Sequence, residues 1–436
     1  MPIGILAAAF MSGVLLAIFI GLPVAIALGA VGLLGLFYVG GTTTVIIMTG
    51  STAITELSNF GLLAIPLFML MGTAVTVSGV GRDISEVVIK WLHRIPGALH
   101  SAAVVSCAFF AALSSSSVAT AAAIGGFILP EMKRRGYNLR LGIGAVAVGG
   151  TLGILIPPSN YFILYGVLTD TSITKLFLAG IVPGLMIASV MVVFTTVLFW
   201  LRPSLAEAEI RERPPTWPEK WAALRRSWTG IVLVVAVIGG ISFGVVTPTE
   251  AGGLGAVVAL LLGSVVLRTI NRSNIGAILI QAVQTTSMMG FIIFGGLLLA
   301  RASTILNLSS WLIGLIADSG LEPWTVLVLI NLLLFVLGMF MDAAAITILT
   351  VPLLYPVISS LGFDRVWFGV VVAINLELAL VTPPVGLNIF VLKAVANVSM
   401  REAILGTLPY ASLLLVCLVL VMVFPQIALW LPGFVN

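Results

Sequence analysis

Apolar residues fill this chain in long runs separated by short polar segments. Runs of about 20 apolar residues suit membrane-crossing helices. They predict spans near 3–20, 24–39, 60–78, 138–168, 180–201, 229–246, 250–267, 277–300, 366–394 and 404–431. Two further apolar regions, 97–132 and 323–358, do not fit as single crossings and are interrupted midway, by LSSSSVAT (113–120) and GMFMDAAAIT (338–347). Each predicts a re-entrant hairpin, whose non-helical tip survives in a bilayer only where protein or a wet cavity satisfies its backbone. Two of the long runs are themselves broken: GGTLGILIPPSN (149–160) and LELALVTPPVGLN (376–388) place adjacent prolines inside a crossing. Proline removes a backbone donor and clashes with the preceding turn. The expected fold class is an all-α polytopic membrane protein with two hairpins and two broken helices.

An internal repeat organises these elements. Laying 112–183 on 338–409 without gaps, an offset of 226, puts Pro130 on Pro356, Pro157 on Pro383, Pro158 on Pro384 and Pro183 on Pro409. Gly136 falls on Gly362 and Gly180 on Gly406, and the same offset carries 3–20 onto 229–246 and 60–78 onto 286–304. The expected organisation is a first repeat at 1–201, a linker at 202–228 and a second repeat at 229–436. Each repeat holds five spans, one of them broken, plus one hairpin. An odd number of crossings gives the two units opposite orientations, an arrangement common in secondary transporters.

Composition fixes the solvent. The 436 residues are 60% hydrophobic and 8% charged, with a mean hydropathy of +1.23, values that place the chain in a bilayer, surrounded by membrane lipid. A net charge of +4 does not indicate a nucleic-acid partner, because the basic residues sit in short clusters between apolar runs. The segments 79–99, 130–140, 202–228, 268–276 and 391–403, placed on one side by alternation, hold 17 of the 20 Lys and Arg. That side should be the cytoplasm, which leaves both termini periplasmic. The stretch 3–20 has no basic leader and runs straight into another span, so it reads as a retained helix and not a cleaved signal. Cys107 and Cys417 lie deep in apolar segments and read as buried small hydrophobes. The 27-residue linker cannot bury a core. Its Trp217, Trp221 and Trp228 mark an interfacial amphipathic end, and no chemistry is assigned to it.

The breaks carry the candidate chemistry. A half-helix that ends at membrane depth aims unpaired N–H groups and a positive dipole end at the midplane, where they suit an anion, while freed carbonyls suit a small cation such as Na⁺. Of the sixteen Asp and Glu, only Asp342 and Glu377 fall at midplane depth. A carboxylate there costs about 2.5–3.5 kcal/mol on insertion scales, so it should face a cavity or counter-ion, or be a protonated acid held in helix packing. Asp342, at the second hairpin tip, overlays Ser116 in the serine run 114–117 and is the favoured ion-coupling residue. His93 and His100 lie far in sequence from any serine on a Gly elbow, which disfavours an intramembrane Ser-His enzyme. No phosphate-binding GxxxxGK[ST] motif supports a primary pump.

LLAIPLFMLMG (62–72), LIPPSN (155–160), FGVVTPTEAGGLGA (243–256), MDAAAITILTVPLLYP (341–356) and TPPVGLN (382–388) together resemble the large membrane subunit of tripartite ATP-independent periplasmic (TRAP) transporters. The resemblance runs over essentially the whole chain. It implies a Na⁺-driven importer of organic acids, such as C4-dicarboxylates or sugar acids like sialic acid, in a bacterial inner membrane. It implies a small four-helix membrane subunit and a periplasmic substrate-binding protein as partners. It also implies an elevator, in which a domain of hairpins and broken helices slides against a scaffold of the other spans. Carried over by position, Ser114, Ser115, Ser116 and Ser117 with Gly153, Pro157, Ser159 and Asn160 would form one Na⁺ site. Asp342, Thr382, Pro384 and Asn388 would help form a second. The substrate would lie between the tips, against Ser116, Ser117, Asn160, Asp342, Ala343 and Glu377. The second break departs from the first, with Val385-Gly386 where the first has Ser159-Asn160. A stand-alone Na⁺/dicarboxylate symporter or antiporter of similar architecture is the alternative.

Overall fold

The computed structural model describes residues 3–56, 58–206 and 213–434, which form helices joined by short turns, with no β-strand among them. Residues 207–212 of the expected linker lie outside the described residues. The chain opens with α1 (Ile3–Phe19) and α2 (Val24–Ser51), which bends at Gly40 and Gly41. A 3-10 turn at Phe60–Leu63 leads into α3 (Ala64–Ser78), and α4 (Val80–Leu92) follows through the left-handed Gly79. The first hairpin is α5 (Ala98–Ser114) and α6 (Ser117–Arg135). The first broken helix is α7 (Leu139–Leu155) and α8 (Asn160–Thr169), and α9 (Ile173–Leu201) completes the unit. After α10 (Trp217–Arg226), α11 (Trp228–Val234) passes through a π-turn at Val235–Gly239 into α12 (Gly240–Ser242). Then come α13 (Pro248–Leu261), α14 (Ile275–Ile305) and α15 (Leu308–Ser319). The second hairpin is α16 (Pro323–Gly338) and α17 (Ala343–Ser360), and the second broken helix is α18 (Arg365–Leu380) and α19 (Leu387–Ala396). The chain closes with α20 (Met400–Val423) and a turn of helix, α21 (Gln426–Leu429).

Equivalent helices start at nearly the expected offset. Ser117 and Ala343, which open α6 and α17, lie 226 apart, as do Leu139 and Arg365, which open α7 and α18. Both Pro-Pro pairs fall between two half-helices. Among the described residues, eight helices are long and apolar enough to cross a membrane, or nine if Trp217–Arg226 and Trp228–Ser242 form one bent span. Two helices stand where no membrane span was expected: the amphipathic α4, inside the expected loop 79–99, and the short apolar α15, between the span ending at 300 and the hairpin region starting at 323.

The helices sort into a body and a frame. In the body, α7 is buried all round from Gly142 to Leu155 and α18 from Trp367 to Leu380. Both sequences are small or apolar on nearly every face, as a fully enclosed helix requires. Around them pack the hairpins, the short half-helices, α9 and α20. Polar side chains stitch the two halves of the body together: Tyr161 donates to the Gly369 carbonyl (2.9 Å), Tyr165 to that of Arg365 (2.8 Å), and the Thr195 and Tyr410 hydroxyls meet at 2.9 Å. The frame is built on two pairs, α2 with α14 and α3 with α13. Small residues let these backbones meet, because lipid supplies no hydrophobic drive and close packing must hold helices together. A Cβ on Gly295 would lie 2.5 Å from the Ala25 carbonyl oxygen. Frame and body touch where α3 and α4 meet α5 and where α14 meets α17.

At one end of the frame, α10 is clamped to α4. Arg226 Nε bonds Asp83 Oδ1 at 3.0 Å, and the Trp91 ring meets Trp217 and Trp221 edge-on at 6.4 and 5.9 Å. Burial pushes the Asp83 carboxyl up from its ordinary value, and the Arg226 guanidinium opposes that. Indole rings and basic side chains clustered on amphipathic helices suit the membrane–water interface.

The α7–α20 crossing sets a limit on body packing. A Cβ on Gly406 would stand 1.9 Å from the Arg140 carbonyl oxygen, whereas one on Gly126 would meet nothing within 4 Å. Gly406→Ala should therefore destabilise the protein by about 1–3 kcal/mol through overpacking, seen as a lowered thermal-unfolding midpoint in detergent. Gly126→Ala should leave the midpoint unchanged or raise it slightly.

Candidate functional site

The serine run forms the first hairpin tip because each member does a different job. Ser115 adopts a left-handed conformation (φ 53°) that ends α5, and Ser116 is extended and caps α6 by accepting from the Ala119 amide (3.4 Å). The Ser116 carbonyl accepts from both the Thr120 amide (3.0 Å) and hydroxyl (2.8 Å). Ser114 and Thr120 hydroxyls meet at 2.6 Å, and the Ser117 hydroxyl donates to the Thr151 carbonyl of α7 at 3.2 Å. Gly153 makes this approach possible, since a Cβ there would sit 2.9 Å from the Ser116 carbonyl carbon.

The first break packs beneath that tip. Ser159 caps α8, accepting from the Phe162 amide (3.4 Å) while its hydroxyl donates to the Ile154 carbonyl at the end of α7. Asn160 Nδ2 donates to the Ser115 carbonyl at 3.2 Å. In this tip and break, two buried oxygens, Ser115 Oγ and Asn160 Oδ1, have no hydrogen-bond partner among the described residues. Buried acceptors are rarely left alone, and oxygen ligands without competing donors are what a small hard cation takes.

The second tip is built differently. Asp342 caps α17, and its Oδ1 accepts from both the Ala344 amide (2.9 Å) and the Ala345 amide (3.1 Å). One oxygen satisfies the helix end, so the cap does not need the other. In the second break the Thr382 hydroxyl bonds back to Leu378 (2.7 Å), and α19 starts at the left-handed Gly386 with no side-chain cap. The first break is buried throughout, but Pro384 in the second is exposed.

Both tips and both breaks converge on one cavity of about 130 Å³. Ser115, Ser116, Ser117, Asn160, Asp342 and Ala343 line it, together with Ile154 and Leu164 of the first broken helix and Leu380 and Leu387 of the second. Frame residues Ile65 and Met69 of α3 and Met289 and Ile293 of α14 close its wall. These frame residues are absent from the sequence-based site, although Ile65 and Met69 lie inside LLAIPLFMLMG and 289 and 293 are the 226-offset partners of 63 and 67. No Lys, Arg or His is among the lining residues. The N-terminal turns of α6 and α17 both reach the cavity and supply partial positive charge.

Several expected site residues stand behind this surface. Ser114, Gly153, Pro157 and Ser159 are buried supports of the first tip and break. Thr382 and Pro384 do not line the cavity, and Asn388 reaches to α7, where Nδ2 donates to the Ala147 carbonyl at 3.0 Å, while its Oδ1, like that of Asn160, has no partner among the described residues. Glu377 is fully buried on α18, near the Leu155 backbone, and neither of its oxygens has a hydrogen-bond partner among the described residues. It does not line the cavity and is not placed to touch a substrate there.

Comparison with known proteins agrees with this architecture. The family profile described as the DctM component of the tripartite ATP-independent periplasmic transporter matches residues 11–427. The chain is 36% identical over 381 residues to the C4-dicarboxylate TRAP transporter large permease protein DctM of Pseudomonas aeruginosa, covering 87% of each chain. It is 32% identical over 419 residues to the sialic acid TRAP transporter large permease protein SiaM of Vibrio cholerae, covering 95% of this chain and 96% of that one. The crystal structure of the YdaH transporter of Alcanivorax borkumensis shares the fold, with a TM-score of 0.60 at 17% identity over 89% of this chain and 87% of that one. The profile match over nearly the full length and these relatives place the chain in the DctM family, the large permease component of tripartite ATP-independent periplasmic transporters.

Proposed function

We propose that this chain imports a small organic acid across a bacterial inner membrane, driven by Na⁺, as the permease of a complex with a small four-helix membrane subunit and a periplasmic binding protein. One observation carries the reading: the two tips and two breaks share a cavity that holds an acidic residue and no basic one. A carboxylate substrate entering beside Asp342 would meet like charge in a poorly screened site. Helix N-termini offset part of that cost, and co-bound cations offset the rest. Na⁺ would take Ser115 Oγ and Asn160 Oδ1 near the first break, and the Asp342 oxygen left over from the cap near the second. The substrate would then bind only with its ions, which is coupling.

Relatives that carry C4-dicarboxylates and sialic acid, by their names, support an organic acid as cargo. The division into body and frame, with the cavity between them, supports an elevator in which the body slides. We read the repeats as inverted, with both termini periplasmic.

Two outcomes test the proposal. In vesicles holding the complete complex, uptake should require an inward Na⁺ gradient and fall to background when K⁺ replaces Na⁺. Full transport of free substrate by this chain alone would favour the stand-alone symporter.

Asp342→Asn keeps a side chain that caps a helix about as well as aspartate but removes the charge. The variant should insert normally and keep its thermal midpoint, while its apparent Na⁺ requirement rises at least about tenfold, of the order of 1.4 kcal/mol. Unchanged Na⁺ dependence would reduce Asp342 to a cap.

A further inference from the structure

Two grooves on the outer face of the body occupy equivalent places in the two repeats. One, about 610 Å³, runs between α5 and α9, and the other, about 590 Å³, lies among α16, α18 and α20. Phe109, Leu185 and Val193 line the first, and their 226-offset partners Phe335, Ala411 and Val419 line the second. The grooves differ in one wall. Val234 and Ile238, from α11 and its π-turn in the frame, close one side of the first groove, but no frame residue lines the second.

The frame segment equivalent to α11 is α1, where Ala8 and Ser12 lie 226 before Val234 and Ile238. It now stands elsewhere, with Ala8 on a separate apolar cavity of about 310 Å³ that it shares with Leu333, Leu349 and Leu353 of the second hairpin. The open groove also holds an unused acceptor. Asn375 is 2% exposed and its Nδ2 donates to the Asn331 carbonyl (2.8 Å) and Oδ1 (2.9 Å), but its Oδ1 has no partner among the described residues.

Like-built halves that touch their frame differently have a physical consequence. A repeated architecture allows a second arrangement in which the two halves exchange their contacts with the frame. We infer that in the opposite transport state α1 lies along α16, with Ala8 and Ser12 walling the second groove as Val234 and Ile238 now wall the first. The inference rests on the sliding-body reading above. It also brings the Ser12 hydroxyl, which now donates to the Ala8 carbonyl within α1 at 2.6 Å, to the groove that Asn375 lines.

The test uses the complete transporter in vesicles, with Cys107 and Cys417 replaced by alanine. Ala8→Cys paired with Phe335→Cys is the test pair, and Val234→Cys paired with Phe109→Cys is its repeat equivalent. A short reducible bis-thiosulfonate reagent should bridge both pairs. Changing Na⁺ and loaded binding protein should move the two yields in opposite directions, and either bridge should cut uptake at least about tenfold until dithiothreitol restores it. The single-cysteine variants should keep uptake, which separates bridging from misfolding. Maleimide labelling of Ser116→Cys reports whether the body moves at all. If that labelling responds to Na⁺ but the test pair never bridges, or if the reference pair never bridges, the contact assigned to α1 is wrong. If labelling does not respond, the sliding reading falls and the contact falls with it.

Discussion

Every feature of the body follows from one constraint: a helix interrupted inside a bilayer frees backbone groups that lipid cannot satisfy. Four interruptions must each be resolved by protein. Ser116, Asp342 and Ser159 do so by capping the helices that restart, and Thr120 does so by returning two donors to the Ser116 carbonyl. Packing the interruptions against one another removes most of the remaining exposure. Gly153 under the first tip and Gly72 of α3, whose Cβ would stand 2.7 Å from the Ser114 carbonyl oxygen, let those backbones close. Where the mutual sealing is incomplete, a cavity remains, and two of its lining residues carry oxygens without protein donors, Ser115 Oγ and Asn160 Oδ1. Structure and site thus share one cause.

The charge arrangement of that cavity is what the proposed Na⁺ coupling rests on. Helix ends supply partial positive charge that no titration removes, but they do not amount to a basic side chain. In a cavity lined by Asp342 and by no Lys, Arg or His, a carboxylate meets a like charge with only helix ends and neutral donors to offset it. Requiring a cation for occupancy is the simplest way for such a site to link two gradients.

Much of this was legible in the sequence because prolines and serines act locally. Pro157-Pro158 and Pro383-Pro384 mark both breaks: single prolines such as Pro130, Pro183 and Pro409 are carried inside continuous helices, but two in succession remove two donors and crowd two preceding carbonyls. The hairpin tips fall at the serine run and at Asp342, where the apolar pattern lapses. Orientation was not legible. Glu377 was expected against the substrate and Asn388 at the second Na⁺ site, yet neither lines the cavity: Glu377 is fully buried on α18, and Asn388 Nδ2 bonds the Ala147 carbonyl of α7. On α18, buried on every side, hydropathy has no preferred face, so it cannot say which way residue 377 points. The helices α4 and α15 escaped a search for long apolar runs because one is amphipathic and the other spans only 12 residues. The frame wall of the cavity, Met289 and Ile293, carries no chemical mark and needed the fold to find it.

The most direct test is equilibrium binding of ²²Na⁺ to the purified, folded permease, with K⁺ as competitor. Saturable binding is expected that excess K⁺ does not displace, and that weakens when Asn160 is changed to alanine and the unpartnered Oδ1 is lost. A folded protein with no saturable Na⁺ binding, or with binding that K⁺ displaces equally, would contradict the claim that the helix breaks form cation sites.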